Sequence, residues 1–367
     1  MISSILTSST PQTVLDGKSS TKRIRSLDGL RAISISFVIL GHIAGTKRCF
    51  GQSYVTGHTA ALGVDIFFVI SGFLITSLLM KEFVKTGRIS LKGFYIRRAL
   101  RIFPAFYLFL MIQALLVHLD VVHIEPWEFL TAMTYTANSV VGAHWNLGHI
   151  WSLSVEEQFY LLWPAALSLT GLKGGARWAL GAVLVAPLLR SLNYFQHWPV
   201  NDGIFPLRAD FLAIGCLLAL TRERLHANAI YHRLLSSRWF FLVPTAAYLM
   251  RIYPGGRTLA FLLSLGNVCL ALTVDWTIIN SEGAIGRFLN AKPLVYIGTL
   301  SYSIYLWQQF FVDRYGKLGL NTFPWNLLAT LICAALSYHL VELPFLRLKD
   351  RFHSKADGVK RTLACAE

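Results

Sequence analysis

The chain contains 367 residues, of which 54% are hydrophobic and 14% charged, and its formal net charge is +15 at pH 7. The mean hydropathy of +0.51 exceeds what a soluble domain of this length needs, so the composition predicts an all-α, polytopic bundle of membrane helices. The cations lie in short segments between apolar runs, where they set topology, and we therefore expect no nucleic-acid partner.

The cysteines and the N-terminal segment argue against two further classes of protein. The five cysteines show no CxxC spacing, and three lie within apolar runs, which predicts neither a disulfide framework nor a metal site. Residues 1–24 are polar and rich in Ser and Thr, unlike a cleavable signal peptide. We expect a flexible polar tail at 1–24, a membrane domain at 25–347 and a basic cytoplasmic tail at 348–367.

Hydropathy predicts about ten membrane spans, although nine or eleven also fit because the fifth, sixth and seventh apolar runs are short. The expected spans are 29–45, 60–80, 102–119, 154–170, 176–190, 206–220, 239–252, 258–280, 293–312 and 325–346.

The distribution of Lys and Arg gives these spans a direction. With the N-terminus in the cytoplasm, 26 of the 34 cations fall in inside segments and 8 in outside segments. The gap 120–150 contains no Lys or Arg, as expected of an outside loop. Because cytoplasmic loops are enriched in cations, we expect both termini to be cytoplasmic.

The first span contains the most informative pair of residues. Arg31 and His42 are eleven positions apart, which is about three helical turns, so both lie on one face roughly 16 Å apart along the axis. Ionisable groups inside a membrane helix indicate a functional site by default. The simpler alternatives are that Arg31 only anchors the helix at the cytoplasmic surface and that His42 is a structural, hydrogen-bonded residue.

Spans two and three each contribute ionisable residues. Asp65 is expected at the outer end of span two, where it serves either a function or the helix dipole. The following Ser71-Gly72 pair predicts close packing between helices. Arg98 and Arg101 share one helical face at the cytoplasmic start of span three, and they either bind the phosphates of a ligand or contact lipid headgroups.

The start of span four carries two adjacent acids. Ser154 and Glu157 have the spacing of a capping box, which explains Glu157 without a function. Glu156 has no such explanation. We expect its carboxylate to hydrogen-bond an imidazole, which raises the basicity of the imidazole and fixes its tautomer.

The later spans contribute polar residues that are candidates for the acceptor side or for structure. Arg208 and Asp210, at the outer start of span six, either serve a site or only neutralise each other. Tyr302 and Ser303 in span nine either line a polar cavity or pack helix against helix. Glu342, near the cytoplasmic end of span ten, is compatible with a helix stop.

The candidates fall in two layers of the predicted bundle. His42, Asp65 and Glu156 are expected in the outer half, with Asp210 as a further candidate there, and the three arginines are expected at the cytoplasmic edge. This layout suits group transfer across a membrane, because a phosphate-bearing donor would bind inside while a histidine base would meet an acceptor nearer the outside.

Five sequence blocks resemble the membrane acyltransferase family 3 of bacterial O-acyltransferases, and the resemblance extends from about Arg25 to Arg347. The blocks are Arg31 with His42 (Arg-x10-His), Gly63-Val-Asp65 to Phe73, Arg98-Ala-Leu-Arg101 (Arg-x-x-Arg), Trp151 to Tyr160, and Ser301 to Trp307. Each block alone is modest, but five in order with consistent spacing are specific. The chain is similar to the stand-alone form without an SGNH domain, and it departs from many members at Gln308, where they have His.

The resemblance implies that residues 25–347 form an enzyme that moves an acyl group, most often acetyl from acetyl-CoA, to a hydroxyl of a carbohydrate. The implied acceptor is a cell-surface or exported glycan such as O-antigen or exopolysaccharide, and the implied location is the bacterial inner membrane. The partners would be membrane lipid, a glycan or lipid-linked glycan, and proteins of glycan synthesis or export. No metal is implied.

The resemblance also implies roles for single residues. His42 would be the catalytic residue, Arg31 its essential partner, and Arg98 and Arg101 the residues that bind the acyl-CoA donor. We add Glu156 to the catalytic group as the expected orienter of His42.

Two other functions fit the same residues. A proton-coupled transporter or flippase of a glycolipid or small solute also needs intramembrane Arg, His and Glu, although the sequence shows no internal repeat. A non-catalytic partner of a glycan synthase would tolerate the loss of His42. A transporter differs from an acyltransferase in leaving acyl-CoA intact.

Overall fold

The computed structural model describes residues 24–197, 201, 203–253, 260–316 and 318–348. These residues form helices and no β-sheet, and an isolated β-bridge joins Lys47 to Thr322. The α-helices are α1 (Arg25–Ile43), α2 (Tyr54–Thr86), α3 (Leu91–His118), α4 (Pro126–Met133), α5 (Trp145–Gly148), α6 (Ile150–Gln196), α7 (Phe205–His226), α8 (Ala229–Leu235), α9 (Leu242–Ile252), α10 (Ala260–Ile279), α11 (Ala284–Leu289), α12 (Lys292–Phe311) and α13 (Trp325–Ser337). The predicted tails 1–24 and 348–367 lie almost entirely outside the described residues.

Six described helical segments are long and apolar enough to cross a membrane. They are Arg25–Ile43, Tyr54–Thr86, Leu91–His118, Trp145–Gln196, Ala260–Ile279 and Trp325–Leu348. The predicted helical class is confirmed, and the protein is an integral membrane protein. Helices α7, α9 and α12 lie at the predicted spans six, seven and nine, but they are not among the six segments that are both long and apolar enough to cross a membrane. The count of ten spans and the cytoplasmic position of both termini stay predictions.

Two irregularities mark the long helical segments. Gly171 has a left-handed φ of 67° inside α6, so two helical stretches meet there, between the predicted spans four and five. The helix stop expected at Glu342 is wrong. A π-helical turn, Tyr338–Glu342, follows α13, and the helix continues to Leu348.

Helix α1 lies between α2 and α12 and buries Ala32, Ile35 and Val38. Gly298 on α12 lies directly against the backbone carbonyl of Asp28, and there is no space between them for a methyl group. Small residues of this kind let helix backbones approach closely in a membrane. The contact fixes the axial position of α1 relative to α12, and both helices carry residues of the site.

Helices α2 and α7 form a similar contact. Gly72 lies against the carbonyl of Leu212, and Gly215 lies against the carbonyl of Val69. The close packing predicted at Gly72 is therefore confirmed.

We expect Gly298→Ala to lower the thermal stability of the protein. The added methyl would overlap with the Asp28 carbonyl, and overpacking of this kind costs about 1–3 kcal/mol. Gly181→Ala is the matched control, because Gly181 lies within α6 and has open space where the methyl would be. Alanine in a helix interior is favoured over glycine by about 0.5–1 kcal/mol. Thermal unfolding of both variants in lipid nanodiscs makes the comparison, and a Gly298→Ala protein as stable as Gly181→Ala would contradict the close contact.

Candidate active site

A cavity of about 1460 Å³ lies within the helical bundle. Its lining includes Arg31 from α1 and both Arg98 and Arg101 from α3. The structure thus brings together the three arginines that the sequence placed at one edge of the membrane. Further cations on the lining are Lys81, Lys85 and Arg222, and acidic groups are Asp28, Glu156, Glu157, Glu223 and Glu342.

Tyr160 joins two charged groups on the cavity wall. The guanidinium of Arg98 lies 4.0 Å from the centroid of the Tyr160 ring, in a cation–π contact. The Tyr160 hydroxyl donates a hydrogen bond of 2.7 Å to Glu156 Oε1, and the Ser71 hydroxyl donates to the same oxygen. These contacts hold the Glu156 carboxylate on the same wall as Arg98.

The hydrogen bond expected between Glu156 and His42 is therefore wrong. Helix α6 begins at Ile150, so Glu156 lies six residues into the helix, about 9 Å along its axis. At that depth its carboxylate meets Ser71 and Tyr160. Glu156 lines the cavity together with the arginines and does not lie beside His42.

The expected capping box of Ser154 and Glu157 is also wrong. The helix has already begun at Ile150, and Ser154 donates to the carbonyl of Ile150 at 3.1 Å. Glu157 lines the cavity, so capping does not account for it.

His42 lies at the opposite end of α1 from Arg31, and the cavity lining does not include it. Its Nδ1 is 3.1 Å from Oε1 of Gln308, and the ring of Trp145 contacts the imidazole edge-on with centroids 5.6 Å apart. The guanidinium of Arg314 lies 5.0 Å from the centroid of the Trp145 ring. Burial lowers the pKa of Arg314, although the flanking residues Tyr315 and Asp313 oppose this shift.

Tyr305 and Ser152 lie on the cavity wall nearest to a second buried imidazole. The Tyr305 hydroxyl is 2.6 Å from Ser152 Oγ and donates to the carbonyl of His149 at 3.1 Å. Both side chains line the cavity, and His149 does not. The Nδ1 of His149 is 2.8 Å from Oε1 of Gln309, which follows the His42 partner Gln308 on α12. We call His42 and His149 the histidine layer. Tyr305 and Ser152 connect this layer to the cavity.

Asp65 forms a buried ion pair. Helix α2 begins at Tyr54 with Ser53 as its N-cap, which places Asp65 about three turns inside the helix. Of the two alternatives for Asp65, the interaction with the helix dipole is therefore wrong. Its carboxylate lies 2.9 Å from the guanidinium of Arg251.

Asp210 pairs with a residue that the sequence did not single out. Arg190 binds it through two hydrogen bonds of 2.6 and 2.8 Å, and Ser264 donates a third of 2.6 Å. Arg208 instead lies over the rings of Trp151 and Phe211. The sequence signal that could have identified Arg190 as a candidate was its position as an isolated cation at the end of an apolar run.

Tyr302 and Ser303 have different surroundings. Tyr302 lines the cavity and donates to the carbonyl of Ile102 at 3.0 Å. Ser303 is buried and donates to Glu342, whose carboxylate lies on the lining. Tyr302 thus belongs to the cavity, and Ser303 supports a group that does. No three His, Cys, Asp or Glu side chains of the described residues converge as a metal site.

A family model described as an acyltransferase domain matches residues 24–341. The chain belongs to this acyltransferase family. The family predicted from the five sequence blocks is therefore confirmed.

Two curated relatives of this chain come from Staphylococcus aureus. The Putative O-acetyltransferase SACOL0978 of Staphylococcus aureus strain COL is 30% identical over 363 residues, which cover 88% of this chain and 57% of that protein. The O-acetyltransferase OatA of Staphylococcus aureus strain NCTC 8325 / PS 47 is 28% identical over 363 residues, which cover 89% of this chain and 57% of that protein. The chain thus spans about half the length of the curated relatives it matches. No solved structure gives a significant match.

We expect Asp210→Asn to destabilise the protein by about 3–5 kcal/mol, because removing one partner leaves a buried charge uncompensated. The side chains of Arg190 and Asp210 are only 7% and 1% exposed. Glu82→Gln is the matched control, because Glu82 pairs with Arg97 at a more exposed site, and such pairs contribute about 0–1 kcal/mol. Thermal unfolding in nanodiscs compares the two variants, and equal losses would contradict a special role for the buried pair.

Proposed function

We propose that this protein is an O-acyltransferase of the bacterial inner membrane that moves an acetyl group from acetyl-CoA to a hydroxyl of a cell-surface or exported glycan. The observation that carries the proposal is the arrangement of α1. One end of this helix presents Arg31 to a cavity that Arg98 and Arg101 also line, and the other end carries His42 beside a buried amide.

The cavity suits a donor that carries phosphate groups. Its volume of about 1460 Å³ exceeds the range of about 300–1,000 Å³ that is usual for small-molecule sites, so there is room for a ligand as large as a coenzyme. Guanidinium groups bind phosphate oxygens in pairs, and Arg98 and Arg101 are one helical turn apart on the lining. We assign these two residues and Arg31 to the donor.

The acceptor hydroxyl is assigned to the end of α1 that carries His42. Imidazole is a suitable general base because its pKa in water lies near neutral pH. His42 would take the hydroxyl proton while the hydroxyl oxygen bonds to the acyl carbon. The carbon–sulfur bond then breaks, and the CoA thiolate receives the proton.

The acyl group has to reach His42 from a cavity whose lining does not include that residue. Tyr305 and Ser152 lie on the wall between the cavity and the histidine layer, so the acyl chain would pass beside them. Glu156 is assigned to the donor side, where it is held by Tyr160 next to Arg98.

The names of the relatives support the acyl group proposed here. Both relatives described above are named O-acetyltransferases. The excess of Lys and Arg in the predicted inside segments supports a cytoplasmic opening of the cavity, where acetyl-CoA is made available. Membrane lipid, a glycan or lipid-linked glycan, and proteins of glycan synthesis or export are the proposed partners.

Two measurements on the same purified variants test this function: binding of acetyl-CoA, and transfer of its labelled acetyl group to glycan from the native host. Arg98→Ala is expected to weaken donor binding roughly 10- to 100-fold, since hydrogen bonds to charged groups contribute about 1.5–3 kcal/mol. His42→Ala is expected to keep donor binding and to lower transfer by roughly 10²-fold or more.

Arg97→Ala is the matched control for Arg98→Ala. Arg97 is the adjacent residue, but it pairs with Glu82 at 3.1 Å and does not line the cavity. It should keep both binding and transfer. Transfer by His42→Ala at the wild-type rate would remove the base assignment. Acetyl-CoA left intact by the wild type, while a glycolipid or solute crosses the membrane, would favour a transporter.

A further inference from the structure

Two consecutive glutamines on α12 each hold one imidazole. Gln308 Oε1 lies 3.1 Å from Nδ1 of His42, and Gln309 Oε1 lies 2.8 Å from Nδ1 of His149. Consecutive residues of a helix point about 100° apart, which explains why they serve different rings. Both glutamines are buried, with 0% and 4% of their surface exposed.

The acids expected in the same layer as His42 have other partners. Glu156 accepts hydrogen bonds from Ser71 and Tyr160, and Asp65 pairs with Arg251. Among the described residues, the hydrogen-bond partner of the His42 ring is thus an uncharged amide.

The amide oxygen determines which ring nitrogen carries the proton. A side-chain amide oxygen only accepts hydrogen bonds, so the Nδ1 facing it must donate. A neutral imidazole has one N–H, and with the proton on Nδ1 the lone pair lies on Nε2. Trp145 packs against the same ring in a T-shaped arrangement and restricts its rotation.

We propose that Gln308 is the positioning residue of His42: it keeps the imidazole in the tautomer protonated at Nδ1 and directs the basic Nε2 toward the acceptor hydroxyl. The direction of Nε2 toward the acceptor hydroxyl rests on the proposed function, whereas the tautomer protonated at Nδ1 does not. During transfer, Nε2 takes the hydroxyl proton, the oxygen–carbon bond forms, and the carbon–sulfur bond breaks. Nδ1–H stays bonded to Gln308 throughout, and the proton on Nε2 then passes to the CoA thiolate.

The tautomer is tested without any turnover. Solid-state ¹⁵N NMR of the full chain in bilayers, labelled on histidine, resolves protonated from unprotonated ring nitrogens, and a His42→Ala sample assigns the signals of His42. We expect Nδ1 of His42 to be protonated in the wild type and in Gln308→Glu, whose carboxylate also accepts. In Gln308→Met the proton should move to Nε2 in a substantial fraction of molecules.

Gln309→Met is the matched control, because Gln309 contacts His149 and not His42. It should alter the signals of His149 and leave those of His42 unchanged. An unprotonated Nδ1 in wild-type His42 would overturn the proposal, and so would a tautomer that Gln308→Met does not change. When Gln308→Met fails to fold, an unprotonated Nδ1 in either the wild type or Gln308→Glu still overturns the proposal.

Kinetics of acetyl transfer separate positioning from a structural role. Gln308→Met should lower kcat by roughly 10- to 100-fold, as misplaced catalytic groups do, with KM for acetyl-CoA unchanged. Gln308→Glu should restore most of kcat. Loss of donor binding in Gln308→Met, without rescue by Gln308→Glu, would contradict positioning. Absence of transfer in every variant, including the wild type, would count against the proposed function and leave the tautomer result standing.

Discussion

The cost of placing charged groups inside a membrane shapes this structure more than any other constraint. An ionisable side chain there costs several kcal/mol unless it faces a polar interior or a partner. Most buried charges meet this demand in pairs, such as Arg190 with Asp210 and Arg251 with Asp65. Arg31, by contrast, lines a large cavity together with Arg98, Arg101 and several acidic side chains. An anionic group that binds beside the three arginines would stabilise their charges, which is why we assign the cavity to the donor.

The second consequence is a division of labour along α1. Its Arg31 end belongs to a cavity of charged residues, whereas its His42 end lies among Gln308 and Trp145. A base whose ring contacts are an amide and an indole stays available to accept a proton, and the amide orients it without adding a charge. The close contact of Gly298 with the backbone of α1 fixes both ends relative to α12. One helix therefore sets the distance between donor site and base.

Local periodicity in the sequence was sufficient to predict the relative positions of candidate site residues wherever those residues lie on one continuous helix. The separation of Arg31 and His42 by about three turns could be predicted because α1 is unbroken, and the one-turn separation of the two arginines of α3 could be predicted for the same reason. Partners from distant parts of the chain could not be predicted in this way. Gln308 is 266 residues from His42, and Arg190 reaches Asp210 across a loop. Glu156 was misplaced because α6 begins earlier than expected, which moves its carboxylate to the cavity.

The central claim is that donor and acceptor meet the protein from opposite faces of the membrane. Vesicles that hold the protein in one orientation test this claim. Cys49 follows the His42 end of α1, and a variant that keeps only this cysteine lets an impermeant thiol reagent report the orientation. Labelled acetyl-CoA is supplied only on the face where the arginine cavity opens, and glycan only on the face of Cys49. The account predicts acetylated glycan in this arrangement and none when both substrates share the face of Cys49. Transfer that requires both substrates on one face would contradict it.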